Sequence, residues 1–234
     1  MDVGGSGSKG SAMYKRLYLV RHGQTVFNTQ GLIQGRCDSP LTDLGRDQAR
    51  AAATWLRSHD VRFDAAFSSP ILRACDTMEL LWAGSYARLS GLSERSFGTL
   101  EGTKVSGLPK PMADYPARFG GEAQGPLEER LTMTMLSIMR GEAGGMPGRS
   151  DAAIEVGALQ PLPSGEMRTG NVLVVSHGAA CKAFAHAWRE GAQARIPSPF
   201  PNCEILIYAF DGKGFTLLEA HDPAASLGGI GLAI

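Results

Sequence analysis

Two histidine–glycine pairs, His22-Gly23 and His177-Gly178, each follow an apolar run, and the chemistry of this chain starts there. The runs are Leu17-Tyr18-Leu19-Val20 ahead of Arg21-His22, and Val172-Leu173-Val174-Val175 ahead of Ser176-His177. An imidazole with an ordinary pKa near 6.5 is largely neutral at pH 7 and keeps a nucleophilic lone pair. Such a group can attack phosphorus and form a phosphohistidine, which splits one difficult step into two easier ones. Arg21, beside His22, offers a planar guanidinium that binds phosphoryl oxygens bidentately, a geometry lysine does not reproduce. The glycine after each histidine lets backbone crowd the ring and fix its tautomer through a carbonyl.

Arg73 is a second candidate clamp. The preceding Ser69-Pro70 reads as a helix start, with Ser69 as N-cap and Pro70 in the first helical position. Arg73 then lies in the first turn, where free N–H groups and the positive end of the helix dipole favour an anion. A leaving alkoxide needs a proton, and Glu94, in an irregular stretch after a strand, is the chosen acid, with Glu101 as its rival. Removing a proton-transfer group of this kind slows a reaction by about 10²–10⁴-fold. The five histidines, His22, His59, His177, His186 and His221, show no HxH or HExxH spacing, and no P-loop pattern occurs. A site without metal or cofactor is expected. His186 reads as a helix-face residue, and His59 and His221 as solvated element ends.

These residues must be delivered by a scaffold. The two apolar runs are continuous rather than alternating, as expected of strands buried on both faces. In an open parallel sheet the crevice beyond the carboxyl ends of the strands is where ligands bind, so both histidines belong to one site. Strands are predicted at 16–20, 65–68, 86–89 and 172–175, with a terminal hairpin at 204–210 and 215–219. Helices are predicted over 42–58 with Thr42 as N-cap, from 69 to about 82, over 127–140 and over 179–189. This alternation implies an α/β fold: a mostly parallel central sheet with helices on both faces, three layers in all. Residues 97–125 form a Gly- and Pro-rich excursion. The 142–170 stretch reads as a mobile loop or insertion, with a short helix over 151–159.

The length of 234 residues and the 43% hydrophobic content suit one domain, expected over 13–225. The Gly/Ser-rich residues 1–12 are expected to be a vector-derived remnant, with the natural start at Met13, and 226–234 a flexible tail. No apolar stretch approaches the roughly 20 residues that span a bilayer. The formal net charge is zero, which argues against nucleic acid as a partner and leaves a small phosphorylated substrate in a local arginine-lined cleft. Cys37, Cys75, Cys181 and Cys203 show no CxxC spacing, and reduced thiols in a cytoplasmic setting are expected. A homodimer is the base-rate expectation for assembly.

Taken in order, a longer set of residues resembles the histidine phosphatase superfamily in its phosphoglycerate-mutase-like branch. The set is Arg21-His22-Gly23-Gln24-Thr25 with Asn28, Gln34-Gly35, Asp38-Ser39-Pro40-Leu41-Thr42 with Gly45 and Gln48-Ala49, and Ser68-Ser69-Pro70 with Arg73-Ala74. It continues through Glu94 with Phe97-Gly98, Glu101-Gly102, Gly121-Glu122 and Ser176-His177-Gly178, so the resemblance covers most of residues 13–219. It implies that His22 is the residue phosphorylated, while Arg21, Arg73 and His177 hold the phosphoryl group. Glu94 would protonate the leaving oxygen and then activate water. Asn28 and the backbone N–H groups of Gly178 and Ala179 would line the phosphate pocket. Gln34 stands where mutases usually carry a small hydroxyl residue that helps hold the substrate, and glutamine there is more like the phosphatases; Gln34 and Gly35 are expected among the substrate-binding residues. The excursion holds Lys104, Lys110 and Arg118 but no adjacent arginine pair to grip a second acid group. Metal-independent hydrolysis of a small phosphomonoester is therefore expected, with a phosphoglycerate mutase, or a non-catalytic phosphate-binding relative, as the alternatives.

Overall fold

The computed structural model describes residues 15–109, 112–148, 157–162 and 169–227. The strands are β1 (Arg16–Arg21), β2 (Ala65–Ser68), β3 (Ala87–Arg88), β4 (Met146–Pro147), β5 (Asn171–Ser176), β6 (Ile205–Phe210) and β7 (Phe215–His221). The helices are α1 (Val26–Gln30), α2 (Asp43–Ser58), α3 (Leu72–Leu81), α4 (Gln124–Met139) and α5 (Gly178–Ala187). The strands form one sheet in the order β4-β3-β2-β5-β1-β6-β7. β3, β2, β5 and β1 run parallel, while β4, β6 and β7 pair antiparallel at the two sides.

Side-chain alternation along the central strands explains the three layers. Leu17, Leu19, Val172 and Val174 point to one face and pack with Leu131 and Met135 of α4 and Phe184 of α5. Tyr18, Val20, Leu173 and Val175 point to the other and pack with Ala52 and Leu56 of α2 and Met78 and Leu81 of α3. Each such side chain contributes about 1.5–3 kcal/mol when fully buried. The expected α/β sheet with helices on both faces is what the chain forms, parallel in its core and antiparallel toward both edges.

Register positions the site. Arg21 pairs with Ser176 across the parallel β1–β5 ladder, so His22 and His177 leave the sheet side by side. Ser68 of β2 pairs with Val175, which brings Ser69 to the same rim. Close backbone packing holds the segment after β1. A Cβ on Gly45 would lie 2.0 Å from the Gln24 carbonyl oxygen, and one on Gly23 would lie 2.3 Å from the Gly45 carbonyl oxygen. The Thr42 hydroxyl caps α2 as expected, accepting the Gly45 N–H at 3.0 Å.

Several expected boundaries shift. Ser69 is not the cap of α3; Ile71 occupies that position without a side-chain cap bond, and Pro70 lies ahead of the helix. Asp38 supplies the capping instead, its Oδ2 accepting the Leu72 N–H at 3.0 Å. A distant residue thus does what local spacing assigned to Ser69. Helix α4 begins at Gln124 rather than 127, and α5 runs from Gly178 to Ala187 rather than over 179–189. β3 is only Ala87–Arg88. Part of the 142–170 stretch is built into the sheet: Met146–Pro147 forms the β4 edge, and Leu159 makes a parallel bridge to Trp82. The predicted helix over 151–159 falls mostly outside the described residues, as do residues 1–12 and most of the 226–234 tail. Among the described residues, no helix is long and apolar enough to cross a membrane.

The Gly45 contact gives a prediction. Gly45→Ala is expected to lower unfolding free energy by about 1–3 kcal/mol in urea titration, the usual cost of overpacking, despite the better helix propensity of alanine. Unchanged or raised stability would show that the segment after β1 can move away without cost.

Candidate active site

His22 is buried, and its Nδ1 lies 2.7 Å from the Gly23 carbonyl oxygen. A carbonyl only accepts, so Nδ1 carries the proton and Nε2 keeps the lone pair. The ring of His177 lies beside it, with centroids 5.3 Å apart and planes at 61°. His177 Nε2 lies 2.7 Å from Ser69 Oγ, and that hydroxyl also accepts the Ile71 N–H at 3.3 Å. His177 Nδ1 is buried without a protein partner.

The two arginines are interior. Arg73 is 0% exposed, and its two terminal nitrogens donate to the carbonyls of Cys37 at 2.8 Å and Gly35 at 2.7 Å. Arg21 is buried, donates one terminal nitrogen to the Phe200 carbonyl, and lies over the Phe200 ring. Each leaves its Nε buried without a partner. A Cβ on Gly178 would stand 3.2 Å from Arg21 Nε, so α5 approaches this guanidinium closely.

These charges set the imidazoles. Burial, then the positive fields of Arg73 and Arg21, hold His22 well below 6.5, outweighing its bond to Gly23. His177 is depressed in the same direction by burial, Arg73, His22 and Arg21. Burial also brings Arg73 down to about 10, against the opposing pull of Glu94 and Asp38. Both rings are therefore neutral at neutral pH.

The two rival glutamates separate clearly. Glu94 Oε1 accepts the N–H groups of Ala180 at 2.9 Å and Arg95 at 2.8 Å, and Oε2 accepts Ala179 N–H at 3.1 Å. It thus occupies the positive N-terminal end of α5 and lies within the electrostatic reach of both arginines. Glu101 instead binds backbone, accepting the N–H groups of Arg36 at 3.1 Å, Cys37 at 3.0 Å and Phe97 at 3.0 Å. It fixes the segment whose carbonyls grip Arg73. Gly35 sits there at φ 55°, and a Cβ on it would collide with the Glu101 carboxylate at 2.2 Å.

Other sequence-named residues fall around this centre. Asn28 lies in a capping box with Thr25, its Oδ1 accepting the Thr25 N–H at 3.1 Å. Gln34 is buried and donates to the Thr25 hydroxyl, and its Oε1 has no protein partner. Two expectations change. The Ala179 N–H is held by Glu94 rather than offered to a ligand, and the Leu72 N–H at the α3 N-terminus is taken by Asp38. Phe97, Leu100, Val105 and Met112 of the excursion form an apolar cluster with Ile33, against which Ala179 packs. Lys104 is spent on the Gln30 carbonyl at 2.8 Å. His186 pairs with Glu128, and His59 and His221 flank Trp55, all apart from the residues above. Among the described residues, no group of three or more His, Cys, Asp or Glu could hold a metal ion. Two residues went unmarked in the sequence. Asn202, a lone polar residue in Pro201-Asn202-Cys203, donates to the His22 carbonyl, and Arg130 joins Glu122 to the Gly91 and Ser93 carbonyls ahead of Glu94.

Two outcomes are expected. In an NMR titration, the His22 and His177 rings of the native protein stay neutral as pH falls through 6.5, while an unfolded chain protonates there. Stability present above pH 6.5 therefore declines on acidification toward the native pKa values. Titration of either ring at 6.5 or higher would contradict the buried positive field. Glu101→Gln turns an amide N–H toward backbone N–H groups and loosens the support of Arg73, so kcat/KM for an aryl phosphate should fall about tenfold. An unaltered value would free Arg73 from dependence on that loop.

A family model of the histidine phosphatase superfamily (branch 1) matches residues 17–223. Fructose-2,6-bisphosphatase TIGAR B of Danio rerio is 31% identical over 227 residues, covering 83% of this chain and 86% of that protein. The 2,3-bisphosphoglycerate-dependent phosphoglycerate mutase of Methylocella silvestris is 43% identical over 96 residues, covering 38% of this chain and 47% of that protein. In fold, the chain is similar to the crystal structure of phosphoglycerate mutase from Bacillus anthracis str. Sterne, with a TM-score of 0.68, 20% identity, and coverage of 93% and 97% of the two chains. With the match running through nearly every described element, this chain belongs to the histidine phosphatase superfamily.

Proposed function

We propose that this protein hydrolyses small phosphomonoesters through a phosphohistidine on His22. The observation that carries the reading is the state of that ring: Nδ1 committed to the Gly23 carbonyl, and the whole imidazole held neutral beside Arg21, Arg73 and His177. In the first half-reaction the Nε2 lone pair forms a bond to phosphorus as the ester P–O bond breaks. The Glu94 carboxyl group delivers its proton to the departing oxygen. In the second, Glu94 as carboxylate takes a proton from water, whose oxygen attacks phosphorus as the P–N bond breaks, and inorganic phosphate leaves. Arg21, Arg73 and His177 donate to the phosphoryl oxygens, where charge is greatest in the transition state. Asn28 adds a neutral donor at the edge of the pocket.

Hydrolysis rather than mutase transfer is favoured by the basic residues of the excursion. Lys104 is engaged with the Gln30 carbonyl, and Arg118 has no arginine neighbour in sequence, so no paired cationic grip for a hydroxy-acid carboxylate is supplied by them. The Danio rerio relative, a bisphosphatase by name, supports the same direction. The route uses protein groups alone, and all five proposed catalytic positions keep their reactive side chains.

The decisive measurement is phosphate release from an aryl phosphate with a chelator present. Activity should persist under chelation and fall by at least about 10⁴-fold in His22→Ala, with acid-labile phosphate trapped on the wild-type chain after rapid quench. Loss of activity on chelation would refute the metal-free route. Fast conversion of 3-phosphoglycerate to its 2-isomer with little free phosphate would reassign the enzyme as a mutase. Phosphate binding without turnover across a broad ester panel would leave a binding protein.

A further inference from the structure

Asn202 takes no part in the steps above, yet its buried side chain joins two parts of the site. Its Nδ2 donates to the carbonyl oxygen of His22 at 3.0 Å and to Oδ1 of Asn28 at 3.3 Å. The first of these contacts fixes which way the Asn202 amide faces. A backbone carbonyl only accepts, so the edge of Asn202 turned toward His22 is its –NH2 group. The same group then meets Asn28, and an –NH2 needs an acceptor there. Asn28 Oδ1 also takes the Thr25 N–H at 3.1 Å, so two donors converge on that one oxygen. Were the Asn28 amide flipped, its own N–H groups would confront both donors. The orientation in which Thr25 and Asn202 both donate leaves the Asn28 –NH2 as the group offered outward, while Asn202 Oδ1 is buried without a protein partner.

We propose that Asn202 is a positioning residue: it sets the amide of Asn28 so that N–H donors, not a carbonyl oxygen, meet the phosphoryl group, and it pins the backbone of His22 to the same frame. This rests on the phosphoryl-binding reading of the site. A carbonyl oxygen presented to a phosphate dianion repels it, whereas an N–H donor attracts it, so orientation decides the sign of what Asn28 contributes. Thr25 alone supplies one donor to hold that orientation. Asn202 supplies the second, and it is the one anchored to the nucleophile itself.

The test is a double-mutant cycle read by competitive inhibition with inorganic phosphate against an aryl phosphate. Asn28→Ala should raise the phosphate inhibition constant about tenfold, the worth of one hydrogen bond to a charged group. Asn202→Ala should raise it by a similar factor. The double variant should bind phosphate about as weakly as Asn28→Ala alone, because the effect of Asn202 on phosphate binding passes through Asn28, whereas its bond to the His22 carbonyl bears on the nucleophile. Native folding is checked by circular dichroism, and Asn202→Ser replaces the alanine variant if that one does not fold. An unchanged inhibition constant in folded Asn202 variants would overturn the proposal, as would a double-variant loss equal to the product of the two single losses. If Asn28→Ala itself leaves phosphate inhibition unchanged, the fault lies one step earlier, in assigning Asn28 to the phosphoryl pocket, and the proposal falls with it.

Discussion

Two guanidinium groups held in the interior with neutral acceptors are the constraint on which the site depends. Arg21 and Arg73 are both buried, and their hydrogen bonds run to the backbone carbonyls of Phe200, Cys37 and Gly35. Carbonyls orient a guanidinium without cancelling its charge. Arg73 also pairs with Asp38, at 3.7 Å and with that carboxylate partly exposed. Much of the positive field therefore remains available inside the site. Its effect on the nearest titratable rings is to keep them unprotonated, which is the state a nucleophilic imidazole requires. Under the proposed function one arrangement serves two ends, attracting a phosphoryl dianion and keeping the His22 lone pair free.

Maintaining that arrangement takes much of the surrounding structure. The loop that grips Arg73 is itself held by Glu101, and the segment carrying His22 is wedged against α2 by the Gly23–Gly45 approach. Glu122 binds Arg130 through both oxygens, and Arg130 in turn reaches the Gly91 and Ser93 carbonyls, so the rim is tied to the turn that presents Glu94. None of these residues needs to touch a substrate. Buried charge is costly to organise, and these backbone and carboxylate contacts offset part of that cost, while the Nε atoms of Arg21 and Arg73 stay without a protein partner.

The central strands were legible because each carries an uninterrupted apolar run, and such runs occur where a strand is covered on both faces. From them came the sheet, the paired histidines and the place of the site at the strand ends. Arg73 was legible for a reason that is half wrong. It does lie in the first turn of a helix, but the first N–H of that helix, on Leu72, is taken by Asp38, some thirty positions earlier in the chain. Local spacing identifies a helix start and cannot see a distant cap. The same limit hid Asn202, whose meaning lies in contacts to residues more than 170 positions away, and β4, a two-residue edge strand with no periodicity to detect.

Glu94 and Glu101 show why residue type alone leaves chemistry open. They lie seven positions apart in one irregular stretch, and either could carry a proton. The difference is what their donors belong to. Glu101 takes N–H groups from the loop at 36–37 and from Phe97, all segments that need fixing, and so acts as a backbone staple. Glu94 takes N–H groups from its own neighbour and from the first turn of α5, the helix that His177 precedes, which sets its carboxyl group relative to the second imidazole. The fields of Arg21 and Arg73 both reach it. A proton carrier has to share a frame with the phosphorus acceptor and the oxyanion donors, because an error of about 1 Å in that geometry costs on the order of 10²-fold in rate. Of the two glutamates, only Glu94 is built into the same strand ends and helix start as both histidines.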